Sequence, residues 1–210
     1  PDAQFQKSVT VEEVLGSRPI ADPLTLLQCC PTGDGAAAAI ICASDVAGRF
    51  EAEPVKILAS ELCSGKFTNG FRDMTSMEIA VRGAGIAYEQ AGLGPDDIDV
   101  AEVHDAFSIA ELLYYEAFGF CERGEAVQLL ESGETTIGGQ IVVNPSGGLL
   151  AKGHPIGGTG VAQVVEIVRQ LRGHCGDRQV EGAKVGLTHA TGGGAMGMDS
   201  GACSIHIFAR

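Results

Sequence analysis

The sequence predicts an α/β fold: a mixed five-stranded sheet covered by helices on both faces. Three observations carry this expectation. Short apolar runs of strand length alternate with longer segments of helical periodicity. The last two strand-like runs, "AKVGLTH" and "CSIHIFA", have only a glycine-rich loop between them and so pair antiparallel, whereas helices separate the earlier ones. Capping boxes and glycine stops bracket the helical segments.

Taken in order, Thr10 and Glu13 form a capping box that opens a helix at "TVEEVL". "AAAAIICAS" (36–44) is a continuous apolar run and reads as a buried strand. "DVAGRFEAEP" reads as a short helix and a turn, with a boundary near residues 51–54. "VKILASEL" (55–62) is a strand. In "TSMEIAVRGAGIAYEQAGL", Thr75 and Glu78 form a second box, Met77, Ala80, Ala84, Ala87, Tyr88 and Ala91 recur at helical spacing, and Gly92 is the stop. "IDVAEV" (98–103) is a strand. Ser108 and Glu111 box the next helix, which Gly119 ends. "EAVQLLESG" is a short helix and "QIVV" (140–143) a brief strand. In "TGVAQVVEIVRQLRG", Val161, Val164, Val165, Val168 and Leu171 make one apolar stripe.

Composition narrows the function. With 45% apolar and 20% charged residues in 210, this is an ordinary globular chain with room for a sizeable core. A formal charge of −13 argues against nucleic acid as a partner, because phosphate binding needs a basic face. No apolar run reaches membrane-spanning length and no leader opens the chain. The seven cysteines are odd in number and form no CxxC, which points to buried reduced thiols, no metal site and a cytoplasmic setting. The chain opens at Pro1 rather than Met, so it is expected to be a processed, nicked or partial product.

Ligand sites in such sheets form at strand ends. Three loops there each carry a histidine: His104 in "EVHDAF", His154 in "NPSGGLLAKGHPIGGTG" and His189 in "THATGGGAMG". Gly147, Gly148, Gly153, Gly157 and Gly158 let the backbone take positive φ and approach another group, and Pro155 stiffens the chain after His154. A ring held so takes a proton from a nucleophile or donates to a developing oxyanion. The alternative is a turn-rich loop whose histidine only satisfies backbone groups. For His104 the structural alternative is stronger, with neighbouring Asp105 expected simply to orient the ring. His174 and His206 read as structural. Neither GxxxxGK[ST] nor GxGxxG after the first strand is present, nor HxxxH or HExxH.

These blocks resemble the thiolase superfamily. "NPSGGLLAKGHPIGGTG" resembles its GHP block, and "EVHDAF" the HDxF block of the sterol-carrier-protein type and archaeal-like acetyl-CoA acetyltransferases. "GLTHATGGGAMG" resembles the terminal glycine-rich block, and "ADPLTLLQCCPTGDGAAAAIICAS" the segment closing the first half. The resemblance covers essentially the whole chain. It implies two similar α/β halves with the active site between them. Residues 1–53 would be the tail of the N-terminal domain and 54–210 the C-terminal domain.

The resemblance also implies roles. His154 would activate a cysteine lying in the absent half and help bind the thioester oxygen. His104 would help form that oxyanion site, with Asp105 and Gly153 shaping the loops. The backbone N–H near Gly192 would serve a second oxyanion hole. A coenzyme A thioester would be the substrate, with no cofactor bound covalently. The complete protein would be a homodimer or larger oligomer, and this chain alone inactive. Two positions depart from the family pattern: Ala106 and Ala190 stand where thiolases of one type or another carry the cysteine that moves the α-proton. His189 is then a candidate base. Three functions follow: thiolase-type acyl transfer, a thiolase-like aldolase cleaving a 3-hydroxyacyl-CoA with Tyr114 or Tyr115 supplying a hydroxyl, and a non-catalytic acyl-CoA-binding or partner subunit.

Overall fold

A computed structural model describes residues 3–66, 73–194 and 200–210. In chain order the elements are α1 (Val11–Leu15), β1 (Pro19–Ala21), β2 (Leu24–Thr25), β3 (Lys56–Cys63), α2 (Glu78–Ala91), β4 (Val100–Glu102), α3 (Ser108–Ala117), α4 (Ala126–Glu131), β5 (Val142–Val143), α5 (Gly148–Lys152), α6 (Thr159–Leu171), β6 (Val185–Gly194) and β7 (Ser200–Ala209). Five strands form one mixed sheet in the order β3-β7-β6-β4-β5, and β1 pairs with β2 as a separate ribbon. Both β5 and β6 run parallel to β4, while β7 is antiparallel to β6 and β3. The predicted mixed five-stranded sheet is present, with its last two strands paired as expected.

Alternation along the strands builds two cores. Ala101, Val103, Leu187, Ile205 and Ile207 face α2 and α3, whereas Val100, Val142 and Phe208 face Ile167 and Leu171 of α6. Successive strand side chains point to opposite faces, so each strand feeds both layers. α2 approaches closely through small residues: an added Cβ on Gly83 would stand 3.1 Å from Ile205 Cδ1. Gly92 ends α2 with φ +67, the left-handed turn that its sequence position predicts. Ile205 has no exposed surface. Ile205→Ala is expected to lower stability by about 2–5 kcal/mol, measured by urea unfolding.

Several local expectations are corrected. Residues 36–44 form no strand and are mostly exposed, Ile40 by 85% and Ile41 by 78%. An apolar run pairs only where a sheet edge meets it, and no described strand lies alongside. The Thr10–Glu13 box forms, but the Thr75 and Ser108 boxes do not. Met77 and Phe107 stand at those caps, Thr75 is engaged by Asp73, and Glu111 binds Asn144 instead. The buried face of α6 is Thr159, Gln163, Glu166, Ile167, Gln170 and Leu171, not the valine stripe. Gln170 explains part of this: its amide donates to Arg178 O and accepts from Val180 N–H, tying α6 to the turn that follows it.

Candidate active site

β5, β4 and β6 lie side by side and parallel, so their C-terminal ends open at one edge, where α/β sheets place their sites. That edge brings the three predicted histidines together. His104 follows β4, His154 follows β5 and α5, and His189 stands within β6. The rings of His104 and His154 meet edge to face, with centroids 4.9 Å apart at 88°. His189 Nδ1 lies 3.4 Å from the His104 backbone N–H. The exposed His174 follows the C-terminal end of α6, and His206 pairs with Ser60 Oγ at 3.0 Å across β3 and β7.

The tautomer of His154 follows from its neighbours. The Thr159 hydroxyl donates to Pro155 O at 3.1 Å, so toward His154 Nδ1, 2.8 Å away, it acts as acceptor. That bond assigns the proton to Nδ1, the tautomer in which Nε2 keeps a free lone pair. Burial lowers the pKa of His154, which keeps the ring neutral and able to take a proton. His104 falls to about 4, chiefly through burial and further because a second proton beside the His154 ring is disfavoured, and its buried Nδ1 has no hydrogen-bond partner among the described residues.

His189 sits behind His104. It has no exposed surface, and Tyr114 and Phe118 pack on its ring at centroid distances of 4.3 and 5.0 Å. In this position it meets the site through the His104 backbone. Tyr114 and Tyr115 are buried core residues, and the Tyr115 hydroxyl is engaged by Glu111. Burial, aided by the unfavourable placing of a second proton near His104, drops His189 to about 3 from 6.5. Between those values the unfolded chain holds the extra proton, so this stabilisation is present above pH 6.5 and is lost as pH falls toward 3. His189→Gln is expected to narrow the wild-type loss of stability between pH 7 and 5 by about 2 kcal/mol, read from urea unfolding at each pH.

The loops are fixed by buried polar groups. Asp105 accepts from the N–H groups of Leu149 and Leu150 at 2.6 and 3.3 Å, at the start of α5. Burial pushes its carboxyl up to about 7 against those two bonds. The carboxylate fits because position 148 has no side chain: φ is +57, and an added Cβ would stand 2.2 Å from Asp105 Oδ2. Gly153 turns the chain into His154 with φ +96, where a Cβ would meet the Gln4 amide at 2.3 Å. Asn144, at φ 51, accepts from Val103 N–H at 2.8 Å and donates to Glu111 at 2.7 Å. The segment around residue 30 staples both loops: Cys30 N–H donates to Ala106 O, and His154 N–H to Pro31 O. A cleft of about 330 Å3 lies between residues 33–37 and 155–158. Gly192 is exposed in the β6–β7 ladder opposite Ala202, while residues 195–197 of the terminal glycine block lie outside the described residues.

All seven cysteines are free. Burial raises the thiols of Cys30 and Cys63 and takes Cys121 to about 11 and Cys175 and Cys203 to about 12, which disfavours the thiolate. Among the described residues no group of three or more His, Cys, Asp or Glu side chains is arranged to hold a metal ion, and no helix is long and apolar enough to cross a membrane. Asn144, Thr159, Glu102 and Lys152 were not singled out by sequence reasoning. All four lie inside the two quoted blocks that carry His104 and His154, a signal available from the sequence.

The profile of the "Thiolase C-terminal domain-like" family matches residues 61–203. The chain belongs to that family. It is 49% identical over 211 residues to an acetyl-CoA acetyltransferase of Methanothermobacter thermautotrophicus, covering 100% of this chain and 54% of that protein. It is 49% identical over 203 residues to sterol carrier protein 2 of Oryctolagus cuniculus, covering 93% of this chain and 37% of that one. Against the benzoylsuccinyl-CoA thiolase subunit BbsB of Thauera aromatica the identity is 44% over 196 residues, covering 92% and 51%. Among solved structures, an "Ltp2-ChsH2(DUF35) aldolase" superposes with a TM-score of 0.80 at 27% identity, covering 96% of this chain and 52% of that one. The chain thus spans about half the length, or less, of these relatives. The thiolase-superfamily expectation is met, as is the α/β fold it implied.

Proposed function

We propose that the complete protein transfers acyl groups between coenzyme A thioesters, by Claisen condensation or thiolysis of a 3-oxoacyl-CoA. The observation that carries this reading is the edge-to-face His104–His154 pair, with His154 Nε2 left free by the Thr159 bond. Acyl transfer needs a thiolate, a proton carrier and preorganised donors at the thioester oxygen. His154 takes the thiol proton through Nε2. His104 and His154 together hold the thioester oxygen, and the backbone N–H near Gly192 serves the second oxyanion. Gly153 and Asp105 hold the loops, and His189 supports His104 from behind. The nucleophilic cysteine belongs to the preceding half, since burial disfavours five of the seven thiols here. We read residues 1–53 as the tail of that preceding domain and 54–210 as the C-terminal domain, which accounts for the exposed run at 36–44. The substrate is the coenzyme A thioester, the complete protein is a dimer or larger oligomer, and its free cysteines suit the cytoplasm.

A second reading keeps the fold and changes the reaction. Alanine at 106 and 190 removes the family's proton-moving thiol, and an aldolase is among the solved structures that superpose. On this reading the protein cleaves a 3-hydroxyacyl-CoA without a thiolate.

One assay separates the readings. The complete protein is offered a 3-oxoacyl-CoA with free CoA, then a 3-hydroxyacyl-CoA. Consumption of free CoA with release of two acyl-CoA products is the expected result. Carbonyl release without CoA consumption selects the aldolase. No turnover of either leaves an acyl-CoA-binding or partner subunit. The 210-residue chain alone is expected to show no thiolysis.

A further inference from the structure

A buried ion pair links the two loops that carry the facing imidazoles. Glu102 closes β4, two residues before His104, and Lys152 closes α5, two residues before His154. The Glu102 side chain has no exposed surface, and Lys152 Nζ lies 3.4 Å from its Oε2 with the lysine side chain 19% exposed. Ser146 completes the cluster. Its N–H donates to Glu102 Oε1 at 3.1 Å and its hydroxyl to Oε2 at 2.7 Å, while Lys152 Nζ donates to that hydroxyl at 2.7 Å. Beside it, Arg178 donates to Pro145 O at 3.3 Å and pairs with Glu166.

This arrangement has a geometric consequence. A buried ion pair adds little net stability over an apolar pair of the same volume, but separating its partners leaves a buried charge uncompensated, which disfavours arrangements that pull them apart. Here the partners are the last residue of the strand that aims His104 and the last residue of the helix that aims His154. Moving either loop separates a buried carboxylate from its cation, which is strongly unfavourable. Asp105 braces the same helix from its other end, so the two loops are held at both ends of α5.

We propose that Glu102 and Lys152 are positioning residues, whose ion pair holds His104 and His154 in their edge-to-face contact. The kinetic half of this proposal rests on the acyl-transfer reading; the structural half does not.

The test uses the complete protein with Glu102→Gln/Lys152→Met, which removes both charges together and leaves an amide to hold Ser146. Melting close to wild type is expected, because no charge is left unpaired. The expected kinetic result is a fall in kcat of at least about 10-fold with KM unchanged, since small misplacement of a reacting group is felt mainly in kcat. Lys152→Arg is expected to keep most of kcat. Crystal structures of wild type and double variant give the ring separation, expected to depart from 4.9 Å in the variant. Wild-type kcat in the double variant, or an unchanged ring contact, overturns the proposal. If wild type turns over neither substrate, the acyl-transfer reading has failed and the ring geometry alone decides. If the double variant does not fold, Ser146→Ala loosens the same cluster without unpairing a charge and carries the same expectations.

Discussion

Replacing His154 by alanine in the complete protein is expected to lower kcat by about 10²–10⁴-fold. The ring has its Nδ1 proton committed to Thr159 and its Nε2 free, and it faces His104 at 4.9 Å. Alanine removes the proton acceptor and half of the oxygen-binding pair, and leaves the backbone bond to Pro31 intact. The fold should therefore survive while the chemistry does not. His206→Ala is the matched control: its ring is tied to Ser60 of β3 and makes no ring contact with His104, His154 or His189 among the described residues. Steady-state rates of both variants, with circular dichroism to confirm folding, check the expectation. Equal activity in the two would remove His154 from the mechanism.

The second large effect is expected from a single methyl group. In Gly148→Ala the backbone at φ +57 becomes strained, by about 1–3 kcal/mol for a non-glycine residue. The new Cβ would also stand 2.2 Å from Asp105 Oδ2. Asp105 must withdraw, and its bonds to Leu149 and Leu150 break, adding about 1–3 kcal/mol. α5 leads directly into Gly153 and His154, so activity is expected to fall with stability. Gly157→Ala is the control in the same loop, since an added Cβ there meets nothing within 4 Å and such a change is expected within about 0.5 kcal/mol of wild type. Calorimetric melting of both variants tests the pair. A Gly148→Ala protein that melts with Gly157→Ala would show that Asp105 does not need the space.

Local pattern made much of this architecture legible. Short apolar runs located β3 to within a residue and overlapped β4, β6 and β7, whose observed bounds differ by two to five residues at one end or both, because the ends of a strand are set by its neighbours rather than by its own pattern. Gly92 and Gly119 marked helix ends, since few other residues take positive φ there. The His154 and His189 blocks were visible because glycine crowds each of them, and the His104 block because it follows a strand.

Other features were not legible, and each failure has a cause. The α6 stripe failed because periodicity sees hydropathy, not hydrogen bonds: Gln170 and Glu166 are buried where Arg178 and Val180 N–H receive them. The 36–44 run failed because a strand needs a neighbour, and sequence does not report one. The boxes at Thr75 and Ser108 failed because Asp73 and Asn144 compete for the same side chains.

Residue types and their spacing were enough to locate most helices and the five strands of the sheet, to pair the last two strands, and to mark which loops carry the histidines. Helix periodicity, glycine stops and the final hairpin depend on interactions close along the chain. Which histidines meet, which one is sealed behind the others, and which carboxylates brace the loops depended on the packed molecule. Glu102 and Ser146 are separated by |i−j| = 44, and His104 and His189 by 85. Contacts across such distances arise only when parallel strands bring their ends to one edge, and it is burial at that edge that gives each ring its protonation state.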